Sequence, residues 1–127
     1  MIHGIGTDIV AINRIQAGLD RHGDKFARRI LAEQEMAGFA SSASPAHYLA
    51  KRFAAKEAAV KALGTGFRDG ISLGHISVGK DEKGKPILQF SGRAEELGCS
   101  LGVGEAHLSL ADEKEYAVAF VTLMRKI

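Results

Sequence analysis

Apolar and polar positions alternate over residues 2–9, where Ile5 and Ile9 stand among Gly4, Gly6 and Asp8, and this period of two predicts a strand. The pattern then changes to helical spacing over residues 11–22, with Ile12, Ile15 and Leu19 on one side, and Gly23 ends it. Residues 24–31 and 33–40 read as two short helices, followed by a Ser-rich loop at 41–45. Ser44 is placed to cap a long helix and Pro45 to be its first residue. Leu49, Phe53, Val60 and Leu63 form the apolar stripe of that helix, and Gly64 stops it. Alternation returns at 75–79 and 86–90, joined by the turn-rich Asp81–Lys85. A helix from Gly92 to about Leu101 and strands at 105–110 and 116–124 complete the chain. The order β-α-α-α-β-β-α-β-β predicts a single α+β domain over residues 1–127, with a largely antiparallel sheet packed on one long helix.

With 46% hydrophobic and 25% charged residues, the composition is that of an ordinary globular domain. At 127 residues such a chain buries roughly two-thirds of its unfolded surface, enough for a real core. Trp is absent, so aliphatic and Ala packing must dominate. Cys99 is the only cysteine, which excludes an intrachain disulfide and a cysteine metal cluster and fits a reducing cytoplasm. The opening MIHGIGTDIV lacks the pattern of a signal peptide, and no run approaches the ~18 apolar residues of a membrane span. A cytoplasmic protein without membrane partners is therefore expected. The net charge of +2 hides an excess of Lys and Arg in residues 1–68. That asymmetry fits an anionic ligand or partner as well as it fits a solvated surface.

The densest candidate chemistry lies between Arg52 and Gly66, read RFAAKEAAVKALGTG. Glu57 and Lys61 are four residues apart on one helix edge, the spacing of a surface ion pair. Lys56 falls in the middle of the apolar stripe, where an ammonium group is costly unless it snorkels or meets an anion. Gly64-Thr65-Gly66 can end the helix, or offer backbone N–H groups to phosphate oxygens. It is not a Walker A loop, because no Gly-Lys-Ser/Thr follows. Asp8, at the end of the first strand, can cap the next helix or hold Mg²⁺. Gly4 and Gly6 beside it leave room for a ligand or for another backbone. Arg14, Arg21, Lys25, Arg28 and Arg29 crowd the early helices, and the spacing of Arg14, Arg21, Lys25 and Arg28 makes a basic ridge. Only Phe26 accompanies it, which is thin support for nucleic-acid binding, and none is expected. His107 sits within a strand, where a structural role is the commoner one. His3, His22, His47 and His75 have no zinc spacing.

Two of these segments together closely resemble one family. Gly4-Ile5-Gly6-Thr7-Asp8-Ile9-Val10 is similar to the N-terminal signature of the holo-acyl-carrier-protein synthases, and Arg52–Gly66 to their second signature. The Lys83-Gly84-Lys85-Pro86 turn and the Tyr116–Ala119 strand fit as well. The resemblance implies the 4′-phosphopantetheinyl transferase fold. It also implies Mg²⁺-dependent transfer of 4′-phosphopantetheine from coenzyme A to a serine of apo acyl carrier protein, in fatty acid biosynthesis, with release of adenosine 3′,5′-bisphosphate. On this resemblance Asp8 and Glu57 would hold the metal and Lys61 would meet the leaving group. Lys51, Arg52, Lys56, Gly64, Thr65, Gly66, Pro86 and His107 would line the coenzyme A site. Arg14, Arg21, Lys25 and Arg28 would dock the carrier protein, and the chain would form a homotrimer with interfacial active sites. Either Glu57 or a water on the metal could accept the serine proton. One position departs from the family. Many members carry a second histidine on the fourth strand where this chain has Asp112, which puts the phosphate-gripping role of that histidine in doubt. Two other readings stand beside this one: a docking module, which would need neither Asp8 nor Glu57, and another Mg²⁺-dependent nucleotide enzyme.

Overall fold

A computed structural model describes residues 1–127. Its centre is α4 (Pro45–Leu63), laid across a three-stranded antiparallel sheet of β1 (Ile2–Ala11), β5 (Tyr116–Arg125) and β4 (Val103–Asp112), in that order. Between β1 and α4 run α1 (Ile12–His22), α2 (Asp24–Ile30) and α3 (Met36–Ser41). The hairpin of β2 (Ile76–Lys80) and β3 (Pro86–Phe90) and then α5 (Gly92–Ser100) separate α4 from β4. The α+β order expected from the pattern is present, but the strands form two sheets rather than one. Both edges of β5 are taken by β1 and β4, and β2 pairs only with β3.

Why α4 lies so close to the sheet is written in small residues. Ala117 and Ala119 of β5 face Ala54, Ala55, Ala58 and Ala59 of α4, all fully buried in one cluster. On β1, a Cβ added at Gly4 would overlap the carbonyl oxygen of Ala62, and one at Gly6 that of Ala58. Of the two uses the sequence left open for these glycines, the fold takes the approach of another backbone. The closeness places the end of β1 directly beside the second half of α4.

The single-stripe reading of α4 is too narrow. Ala46, Ala50, Ala54, Ala58 and Ala62 are buried along with Leu49, Val60 and Leu63, so the helix is covered on nearly all sides. Ser44 occupies the N-cap position but its side chain makes no capping bond. Its backbone N–H instead donates to Ser42 Oγ at 3.1 Å. The helix expected over 33–40 opens with a single 3₁₀ turn, Glu33–Glu35, before α3. The Asp81–Lys85 turn is held by Asp81 Oδ1, which accepts from the backbone N–H of Lys83 at 2.8 Å and of Lys85 at 2.9 Å.

Candidate active site

β1 and α4 bring Asp8, Glu57 and Lys61 together. The Lys61 ammonium donates to Asp8 Oδ1 at 3.1 Å and to the Thr7 carbonyl at 2.9 Å, which leaves its third proton for a ligand. The i,i+4 spacing predicted a Glu57–Lys61 pair, yet Lys61 reaches across to β1 instead. Glu57 is half-buried, and its carboxyl is held above the usual carboxylate range. Burial is the larger cause and the Asp8 charge the next, partly offset by Lys61 and Arg14. Two anionic groups thus crowd one mouth with a single ammonium between the elements. A hard divalent cation fits this donor set. Mg²⁺ takes one or two protein carboxylates and fills its remaining positions with water and phosphate oxygens. The first of the two roles considered for Asp8, a helix cap, is not the one observed: the N-cap of α1 is Ala11.

Arg14 lies on α1 beside this site, 5.9 Å from the centroid of the Phe53 ring. With Arg21, His22, Phe26 and Arg29 it lines a cleft of about 310 Å³. The ridge expected from the spacing of Arg21, Lys25 and Arg28 crosses Gly23, whose φ of 56° separates α1 from α2. Lys25 and Arg28 are exposed but lie outside the cleft, and Arg29 takes their place in it. The signal was present in the sequence as Gly23 itself, since a helix break cancels face arithmetic across it.

On the other side of α4, a recess of about 590 Å³ opens between its first half and the β2–β3 hairpin. Lys51, Arg52 and Pro86 line it together with Tyr48, Lys80 and Asp112. Lys51 Nζ lies 3.7 Å from Asp112 Oδ1, so Asp112 partners a lysine where the family histidine would offer a donor. The Arg52 guanidinium stacks on the Tyr48 ring at 3.7 Å. Tyr48 went unread in the sequence, although its position four residues before Arg52 puts the two on one helix face. His107 lies outside this recess, in a shallower one that shares Pro86, and its Nε2 is 3.3 Å from Glu105 Oε2.

Two expected ligand contacts are turned inward. Lys56 is fully buried, and its ammonium donates to Glu35 Oε1 at 2.6 Å and to the carbonyls of Ile30 at 2.7 Å and Leu73 at 3.2 Å. All three protons are used, so Lys56 is a structural cation and not a coenzyme contact. The anion implied by its place in the apolar stripe is Glu35, from the same chain. At the end of α4 the N–H groups of Gly64, Thr65 and Gly66 all point to the Val60 carbonyl, at 3.1, 3.3 and 3.4 Å. With Gly64 left-handed at φ 88°, this turn closes the helix, and those N–H groups are not presented to a phosphate.

A family model described as the 4′-phosphopantetheinyl transferase superfamily matches residues 4–121. Over 124 residues the chain is 60% identical to a holo-[acyl-carrier-protein] synthase of Nitrosococcus oceani, covering 98% of this chain and 80% of that protein. The crystal structure of holo-[acyl-carrier-protein] synthase from Neisseria meningitidis superposes with a TM-score of 0.91 at 44% identity, over 98% of this chain and 100% of that one. A holo-(acyl-carrier-protein) synthase from Bacillus anthracis, solved in complex with CoA (3′,5′-ADP), gives 0.81 at 40% identity over 100% and 99%.

Proposed function

The chain belongs to the 4′-phosphopantetheinyl transferase superfamily as a holo-[acyl-carrier-protein] synthase, and from that premise we propose that Asp8, Glu57 and Lys61 form its Mg²⁺-dependent transfer site. The observation that carries this reading is the Lys61–Asp8 contact beside a desolvated Glu57. In the reaction, the carrier-protein serine oxygen bonds to the phosphorus that bears pantetheine. The P–O bond to the nucleotide half breaks, and adenosine 3′,5′-bisphosphate leaves with the electron pair. Asp8 and Glu57 would hold the Mg²⁺, which would supply Lewis-acid stabilisation of the pyrophosphate. Lys61, fixed by two hydrogen bonds, directs its free proton at the charge that grows on the leaving oxygen. Either Glu57 or a water held at the metal would accept the serine proton. Transfer is expected to stop with a chelator and return with added Mg²⁺. Full activity in metal-free buffer would remove the metal from the account.

The basic cleft adjoins the metal site in the same chain, so we assign Arg14 and Arg21, with Arg29, to the acidic surface of the apo carrier protein. Reversing the charges of Arg14 and Arg21 should raise KM for the carrier protein about tenfold or more at low salt, with little change for coenzyme A. The effect should shrink as salt rises, because the cleft is exposed. Wild-type kinetics at low salt would make it a solvated face only.

One hydrophobic cluster of 26 buried residues runs through the chain, which supports reading 1–127 as one transferase domain. No helix is long and apolar enough to cross a membrane; we infer a cytoplasmic enzyme from the proposed role in fatty acid biosynthesis. The outer face of the large sheet is apolar: Ile5, Ile9 and Phe120 are 58%, 63% and 45% exposed. Further copies of this chain, in a homotrimer, would cover it. The acid site lies on the β1 side of α4 and the Lys51 recess on the β4 side. A coenzyme spanning both would then use the acid site of one subunit and the recess of its neighbour. Mixed oligomers of Glu57→Ala and Arg52→Gln chains should recover activity that neither has alone. A monomer in sedimentation, or no recovery in mixed oligomers, would rule this arrangement out.

A further inference from the structure

The buried charges around Glu35 do not balance. Glu35 is 3% exposed. Its Oε1 accepts from Lys56 Nζ at 2.6 Å and from the Ala32 N–H at 2.8 Å, and its Oε2 from the Val78 N–H at 3.0 Å. Lys56 alone neutralises this carboxylate. Arg52, itself 8% exposed, approaches Oε2 with Nε at 3.5 Å but makes no hydrogen bond there, and its Nε has no other partner. Two buried cations therefore share one buried anion, and the surplus cation is the one that lines the recess. A guanidinium kept at low exposure without a full partner calls for an anion from outside.

What holds Arg52 there is an aromatic shelf. Its guanidinium lies 3.7 Å from the centre of the Tyr48 ring. The ring is pinned at its far end, where the hydroxyl donates to the Glu35 carbonyl at 2.7 Å. Gly38 leaves space for that hydroxyl, since a Cβ there would collide with it. The same glutamate thus anchors the shelf through its backbone and meets the guanidinium through its side chain.

We propose that Tyr48, locked against Glu35 and Gly38, is a positioning residue that aims Arg52 at the phosphate on the adenosine ribose of coenzyme A. This rests on the proposed function, in which the pyrophosphate goes to the acid site and the recess takes the nucleotide end. Asp112 occupies Lys51 in the recess, so Arg52 and the exposed Lys80 are the cations left for that phosphate.

The test compares binding of adenosine 3′,5′-bisphosphate and adenosine 5′-monophosphate by calorimetry. The wild-type protein should prefer the bisphosphate. Tyr48→Leu should weaken the bisphosphate about tenfold, as expected for a desolvated cation–π contact, and leave the monophosphate nearly unchanged. Tyr48→Phe keeps the shelf but loses its anchor and should fall between. At saturating coenzyme A, kcat should stay within about twofold in both variants, so that the loss appears in KM. Equal losses for the two nucleotides, or an unchanged preference in Tyr48→Leu, would overturn the positioning role. If Tyr48→Leu does not fold, Tyr48→Phe and Gly38→Ala carry the same comparison. A wild-type protein that does not distinguish the two nucleotides would overturn the reading of the recess itself, and the proposal with it.

Discussion

Alanine at Asp8 or at Glu57 is expected to cut the rate of phosphopantetheine transfer by about 10²–10⁴-fold, because several kcal/mol of metal-based charge stabilisation are lost with either ligand. The two losses should not add in the double variant, since one missing carboxylate already disables the shared site. Stability should move the other way. Glu57 is held above the ordinary carboxylate range by burial and by the Asp8 charge, so its ionised form is less favourable folded than unfolded. For a carboxylate raised in this way, stability falls as pH rises through its unfolded value toward its folded one. Above that window, Glu57→Gln should therefore raise Tm in metal-free buffer while destroying transfer. Added Mg²⁺ should raise Tm of the wild-type protein and not that of Glu57→Gln, because a ligand that binds only the folded state stabilises it. An active Glu57→Gln enzyme, or one whose Tm responds to Mg²⁺ like the wild type, would sink the metal assignment.

Glu35→Ala is expected to be the most damaging change away from the active site. It leaves the fully buried Lys56 ammonium without its anion and strips the Ala32 and Val78 N–H groups of their acceptors. Breaking one side of a buried ion pair costs about 3–5 kcal/mol. For a domain of this size that is a fall in Tm of roughly 10–20 °C. Burial holds the Lys56 pKa below that of a free lysine, against the pull of Glu35, and without Glu35 only the depressing influence remains. A Glu35→Leu, Lys56→Met double variant should regain only part of the loss, since no residue then accepts from Ala32 and Val78. Urea melts with an unchanged m-value measure both effects. A Glu35→Ala protein as stable as the wild type would show that the cluster contributes nothing.

These two sites also mark how far the sequence could be read. Asp8, Glu57 and Lys61 were legible because each lies in a short motif with a distinct spacing, and the fold brings all three to one crossing of β1 and α4. The ends of α4 were equally plain, with Ser44-Pro45 before it and Gly64 after it. Lys56 was visible as an anomaly, but its partner was not. Nothing in a local pattern says that Glu35, 21 residues earlier, is its counter-ion. The same limit hid Tyr48, whose hydroxyl is anchored 13 residues away. The basic ridge was legible only within each helix, because helix-face arithmetic does not carry across Gly23. Gly64-Thr65-Gly66 stayed open in the sequence because a helix stop and a phosphate loop share one pattern, and only the direction of the N–H groups separates them.

The most direct test of the account is the intact mass of apo acyl carrier protein after incubation with this protein, coenzyme A and Mg²⁺. The account predicts the gain of one phosphopantetheine group on a single serine, with adenosine 3′,5′-bisphosphate released in equal amount and no gain when Asp8 or Glu57 is alanine. A carrier protein of unchanged mass in the presence of the wild-type protein, or the same gain with both alanine variants, would contradict it.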